Sequence, residues 1–389
     1  MVAEVREHLS SAIIPFWENL RDDVYGGYYG YLGFDLNLDK EAEKGCILNS
    51  RILWFFSNAY LLLKDEALLN EADHAYRFMA DKCLDKENGG IFWSMTFDGR
   101  VKDCAKHTYN QAFAIYALSS YYEASGNMDA LDKAKELFDI IETKCRDEKG
   151  YLEELDRNFH KIGNDKLSEN GVLADRTMNT LLHVLEAYTE LYIASQDLSV
   201  KKALEDILNI FSEKVYNKEK HRQEVFFDVS YNSLIDLHSF GHDIESSWLV
   251  DRAVEAIDGD DRYWHDKITP ITDDLAENIL KTAFDGDSLP NECDNGKVDE
   301  TRVWWVQAEA VVGFLNAYNK SGNTDERFLE AAKKCLAYIF EYLVDKRPGS
   351  EWFWSVNKDG SPKELPIVEP WKCPYHNGRM CIEIIRRMG

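Results

Sequence analysis

The chain has 389 residues, a formal net charge of -25 and 45% hydrophobic residues, among them 10 Trp, 20 Tyr and 19 Phe. So much negative charge repels phosphate backbones and anionic membranes, which argues against nucleic-acid or membrane partners and for a neutral or cationic small-molecule ligand. The aromatic content suits walls that stack on flat apolar faces, including those of sugar rings.

At the start of the chain, MVAEVREHLSSAIIPFWENL carries acids and no cleavable apolar run, so it reads as a helix and not as a signal peptide. No stretch reads as a membrane span. The eight cysteines, at 46, 83, 104, 145, 293, 335, 373 and 381, include no CxxC pair. Reduced thiols of a cytoplasmic protein are the expectation.

An aromatic element then recurs six times: YGGYYGYL, NGGIFWSM, EKGYLEEL, RQEVFFDVS, DGDSLPNEC and GSEWFWSVN, with anchors at 27, 90, 150, 225, 286 and 352. Repetition on this scale decides the architecture. Between anchors the pattern is helix, helix. NSRILWFFSNAYLLLK precedes EALLNEADHAYRFMADKCLD, and HTYNQAFAIYALSSYYEASG precedes MDALDKAKELFDIIETKCRD. RTMNTLLHVLEAYTELYIAS precedes VKKALEDILNIFSEKVYN, and GHDIESSWLVDRAVEAI precedes DDLAENILKTAFD. RVWWVQAEAVVGFLNAYNKSG precedes DERFLEAAKKCLAYIFEYLVD, and HNGRMCIEIIRRMG pairs with the N-terminal helix. The first helix of each pair is apolar nearly all round and the second is one-sided, so the first is buried and the second lies outside it. Six such pairs predict an all-α (α/α)6 toroid with short strands at one end, a single domain over residues 1–389.

Polar residues on buried helices need partners or a purpose. The first inner helix carries Arg51, the second His107, Tyr109, Asn110 and Gln111, and the third Asn179 and His183. The fourth carries His242 and Glu245, the fifth Trp304, Trp305 and Glu309, and the sixth His376, with Trp371 just before it. Equivalent positions on converging helices would bring these groups to one place near the toroid axis. Structural alternatives stand beside each: capping for His107, a satisfied histidine for His183, an arginine partner for Glu245, core packing for Trp305 and Trp371. Asp175 reads as a helix cap, and TDDLAEN (272–278) as a solvated outer face. His8, His74, His160, His221 and His265 read as surface or outer-helix residues. His242 and Glu245 share a helix face, but neither a second His-carboxylate pair nor a His-Glu-x-x-His motif accompanies them, so no metal and no cofactor is expected.

Imidazoles, an arginine and carboxylates around an aromatic cavity suit proton transfer at a carbon next to a carbonyl. One imidazole takes the proton, Arg51 and Tyr109 hold the enediolate, and a second imidazole returns a proton to the other face. At this point LNSRILW, RTMNTLLHVLEAY, GHDIESSWL, WWVQAEAV and WKCPYHNGR resemble the N-acylglucosamine 2-epimerase superfamily over essentially the whole chain. The resemblance is nearest to the branch that inverts C2 of the reducing-end glucose in β-1,4-linked disaccharides such as cellobiose and lactose. It implies His242 and His376 as the acid–base pair, Glu245 as support for His242, and Arg51 on the C1–C2 oxygens. Tyr109, Asn179, His183 and Glu309 would adjoin the substrate, and Trp305 and Trp371 would stack on sugar rings. N-acylglucosamine epimerisation and aldose–ketose isomerisation are the alternatives within the superfamily. Outside it, an (α/α)6 glycoside hydrolase and a non-catalytic sugar-binding protein compete. A monomer acting on a neutral disaccharide is expected.

Overall fold

The structure, a computed structural model, describes residues 1–164, 166, 170–259 and 262–389. Six inner helices form its centre: α3 (Cys46–Leu63), α5 (Thr108–Ser125), α7 (Met178–Ser195), α9 (Phe240–Ile257), α11 (Trp304–Lys320) and α13 (Tyr375–Met388). Each packs on the next, and α13 packs back on α3, so the ring closes. Around it lie α4 (Glu66–Phe78), α6 (Met128–Lys144), α8 (Leu198–Ile210), α10 (Tyr263–Thr282) and α12 (Glu326–Tyr338). The sixth outer place goes to the N-terminal rod, α1 (Val2–His8) and α2 (Ile14–Glu18) joined by one π-helical turn, which packs on α13.

The local chemistry explains the alternation. Inner helices α3, α5 and α7 each end on a left-handed residue, Lys64, Gly126 and Gln196. The next residue caps the outer helix: Asp65 accepts from the Ala67 amide at 3.0 Å, Asn127 from Asp129 at 3.0 Å and Asp197 from Ser199 at 2.9 Å. Asp325 caps α12 in the same way. At the other end, two- and three-residue antiparallel strands lead directly into the inner helices, as at Lys106–His107 and Leu237–Ser239. Five of the inner N-termini are thereby held at one end of the ring.

Three expectations change. Residues 46–63 are long and apolar enough to cross a membrane, with a mean hydropathy of 1.3, yet 78% of the segment is buried because α3 is an inner helix. Helix α10 starts at Tyr263, ten residues before the predicted 273, and runs through Pro270. The cap of α7 is Thr177, whose side chain accepts from the Thr180 amide at 3.0 Å. Asp175 instead pairs with Lys161. The TDDLAEN segment does lie on the outer helix α10, where Asp274 meets Tyr216 and His221.

A repeated device tightens the site end. The residue two or three places before each inner helix is a buried cation or histidine. Lys44 meets Asp22 at 2.5 Å, Lys106 meets Asp85 at 3.2 Å and Arg176 meets Asp147 at 2.6 Å. Arg302 pairs with Asp285, and Lys372 meets Glu351 at 2.6 Å. The fourth repeat substitutes His238, 2.8 Å from Asp243. Breaking one partner of a buried pair leaves a bare charge. Lys44→Met is therefore expected to lower stability by about 3–5 kcal/mol, measured by chemical denaturation. Adding Asp22→Asn, which keeps the caps to the Val24 and Tyr25 amides, should recover most of the loss.

Candidate active site

The ring of inner N-termini surrounds a cavity of about 260 Å³. The inner helices deliver side chains to it in two layers. From their second or third residues come Tyr109, Asn179, His242, Trp305 and His376. One turn deeper, from fifth or sixth residues, come Arg51, His183, Glu245, Glu309 and Arg379. Residues three or four apart share a helix face, so on α7, α9, α11 and α13 the upper group stands over a lower one. Nine of the ten predicted site residues line the cavity. Glu309 stands behind His376, with its carboxylate 2.8 Å from the ring Nδ1.

Trp305 contacts both principal imidazoles, with ring centroids 4.8 Å from His242 and 5.6 Å from His376. Gly241 permits this: a Cβ there would fall 2.5 Å from the Trp305 ring. All three site histidines use Nδ1 for a protein partner. His242 shares a hydrogen bond with Ser239 Oγ at 2.7 Å, His183 with Glu186 at 2.8 Å and His376 with Glu309. Nε2 is left as the nitrogen for a ligand. Burial, then the neighbouring His183, lowers the pKa of His242 to about 3. Burial, then Arg379 and Arg51, press His376 well below 6.5. Both imidazoles are thus neutral at pH 7, the form a general base needs.

Arg51 is 2% exposed. Its hydrogen bonds run to Tyr109 Oη at 2.7 Å and the Trp371 carbonyl at 3.3 Å, with the Cys373 thiol at 3.9 Å. The guanidinium lies over the rings of Phe113 at 4.1 Å and Tyr375 at 4.8 Å. Among the described residues no carboxylate forms an ion pair with it, and its Nε has no partner. A buried cation without a counter-ion is a site for an anion that forms during a reaction. Trp371 closes this side, 5.9 Å from the Tyr109 ring, and the Asn179 side-chain oxygen at the cavity has no partner among the described residues.

Glu245 is a correction. The sequence reading makes it the support of His242, but its Oε1 accepts from Arg379 Nη2 at 2.5 Å, and its closest imidazole is His376 at 4.0 Å. A guanidinium on α13 draws the carboxylate inward, and Ser239 takes the place expected for it. Arg379, Glu186, Ser239 and Tyr375 were missed, as were Trp248, whose indole N–H donates to Glu309 at 3.0 Å, and the cavity-lining Trp354 and Lys166; Trp304, named on the fifth inner helix, also lines the cavity. For two of them a signal existed: Glu186 follows His183 by three residues, and Arg379 follows His376 by three, the spacing that singled out Glu245. His107 is buried and accepts from the Tyr109 amide at 3.3 Å, a capping role. Glu245, Glu309 and His376 converge within 4.8 Å, close enough to suggest a metal. The cation between the two carboxylates is the Arg379 guanidinium, and we assign none of the three as a metal ligand.

Comparison with known proteins places this geometry. The sequence profile described as N-acylglucosamine 2-epimerase (GlcNAc 2-epimerase) matches residues 13–378. A cellobiose 2-epimerase of Eubacterium cellulosolvens is 50% identical, the match covering 98% of this chain and 97% of that protein. One from Ruminococcus albus is 50% identical over 100% of this chain and 99% of its own. The crystal structure of a sugar epimerase from a ruminal bacterium superposes with a TM-score of 0.98 at 50% identity, covering 100% of this chain and 99% of that one.

Proposed function

We propose that this chain, which belongs to the N-acylglucosamine 2-epimerase family, is a cellobiose 2-epimerase that reversibly inverts C2 of the reducing-end glucose of β-1,4-linked disaccharides. The observation that carries the mechanism is the pair of neutral imidazoles, His242 and His376, both in ring contact with one indole, beside a buried arginine that no carboxylate among the described residues pairs with. In the open-chain sugar the C1 aldehyde acidifies the C2 hydrogen. One Nε2 takes that proton, and negative charge develops on the C1–C2 oxygens, where the Arg51 guanidinium and the Tyr109 hydroxyl donate. The other Nε2 supplies a proton to the opposite face. Opposite directions of the reaction exchange the two roles.

A hydrolase reading needs a free acid and a free carboxylate across the bond to be cut. Here Glu186, Glu245 and Glu309 all bond to Arg379, which disfavours it. Trp305 and Trp371 at the cavity wall support a disaccharide over an acetamido sugar. The chemistry requires no cofactor. We read the enzyme as a cytoplasmic monomer; eight cysteines without a disulfide fit a reducing compartment.

The test is cellobiose in heavy water followed by NMR. Deuterium at C2 of a mannose-configured reducing end is expected. Free glucose would point to hydrolysis, a ketose to isomerisation, and unchanged cellobiose to simple binding; each would overturn the proposal.

A further inference from the structure

Proton inventory at the site raises a question that the two imidazoles alone leave open. If both are neutral, one can accept the C2 proton, but the other needs a source for the proton it returns. Beneath them lies a buried cluster that four inner helices build. Arg379 on α13 donates to Glu186 on α7, to Glu245 on α9 at 2.5 Å and to Glu309 on α11 at 2.7 Å. All four side chains are 1% exposed or less. One guanidinium therefore faces three carboxylates.

The groups around the cluster fix how many protons it holds. Against burial, Arg379 and then His183 of α7 hold the Glu186 carboxyl down at about 2. Glu186 also accepts from the Tyr375 hydroxyl at 2.6 Å. From α9, Glu245 is pushed well up by burial and then by Glu309, and from α11, Glu309 is raised by burial. From α3, the Arg51 cation adds to the positive side, and from α5, the hydroxyls of Tyr109 and Tyr116 stay protonated. His242 is neutral. Two guanidinium charges against three carboxylates leave the buried set one charge negative, and a single proton makes it neutral. Burying that net charge without the proton is costly.

We propose that Arg379 holds Glu245, Glu309 and His376 as one unit carrying a single mobile proton, and that this unit is the source of the proton returned to C2. Resting on the epimerase reading, the step balances as follows. Nε2–H of His376 breaks as C2–H forms. At the same time Nδ1 takes the proton from the Glu309 carboxyl, 2.8 Å away. The ring ends neutral with Nε2 bare, Glu309 ends ionised against Arg379, and His242 carries the proton removed from the other face. The result is the starting state for the reverse reaction, so repeated turnover in one direction requires both ends to exchange with solvent. Glu245 Oε2, buried at the cavity wall and without a partner among the described residues, offers the way in for that exchange. Arg379 is a positioning residue: it touches no substrate and keeps the number of resident protons at one.

Removing its charge should make the unit bind its proton more tightly. Arg379→Gln is expected to move the alkaline limit of kcat upward by roughly 1 pH unit or more, whereas Arg379→Lys keeps the charge and stays near the original limit. In the ligand-free protein, NMR titration of the His376 ring should move upward in Arg379→Gln as well. Loss of rate with both the limit and the ring titration unmoved would overturn the proposal, leaving Arg379 a structural support. Should Arg379→Gln fail to fold, Glu309→Gln removes a negative charge and should shift the His376 titration down; no shift there would also overturn it. The ring titration needs no substrate, so absence of C2 inversion in the unaltered enzyme would refute the epimerase reading separately.

Discussion

Replacing His376 by Asn is expected to reduce inversion of cellobiose by about 10²- to 10⁴-fold, the range for loss of a positioned acid–base group. A two-base site makes a sharper prediction than loss of rate. With one imidazole gone, the remaining one still faces one side of C2. In heavy water the His376→Asn enzyme should therefore still exchange the C2 hydrogen of one epimer of the disaccharide while failing to invert it, and should leave the other epimer untouched. His242→Asn should show the complementary preference. The two rings pack against the same indole but use different supports, Ser239 for His242 and Glu309 for His376, so neither can take over the other's face. Equal residual exchange of both epimers in one variant would mean that a single base serves both faces, with the intermediate turning between them. Hydrolytic activity surviving in His376→Asn would place the enzyme in another class.

Much of this site was legible in the sequence, for a physical reason. An inner helix is apolar on every face, so Arg51, His183, His242 and Glu309 stand out against it, and equivalent positions in six repeats converge by the closure of the ring. The same logic extends to Glu186 and Arg379 through the three-residue spacing from a histidine. What the sequence hides are pairings fixed by tertiary distance. Glu245 meets Arg379 across 134 residues, and no local pattern distinguishes that partner from His242 one turn away. The belt of buried cations was equally hidden, because a lysine such as Lys44 reads as a surface residue until Asp22 is found against it. Helix ends were legible where an adjacent turn residue marks them, as Gly126 does; the start of α10 at Tyr263 is capped from a distance, by Asp258, whose carboxylate accepts from the Trp264 and His265 amides.

Arg51 tests whether the site is built for charge that exists only in passing. The guanidinium is buried, stacked on Phe113 and Tyr375, and lacks an ion-pair partner among the described residues. In the resting protein no carboxylate among the described residues pairs with it directly, and its charge offsets the buried carboxylates only at a distance. Arg51→Met should accordingly change the thermal midpoint little. In the reaction the same cation faces the enediolate oxygens, and its loss should lower kcat by about 10²- to 10³-fold, the cost of removing a preorganised donor to a developing anion. KM should change little, because the open-chain sugar is neutral until the C2 proton leaves. Arg51→Lys keeps the charge but loses the planar fork that spans two oxygens and stacks on the rings, so it should recover only part of the rate. A variant that loses stability and activity together would show that Arg51 holds the helices in place; one that keeps its stability while losing kcat would show that the guanidinium is held there for the sake of the transition state.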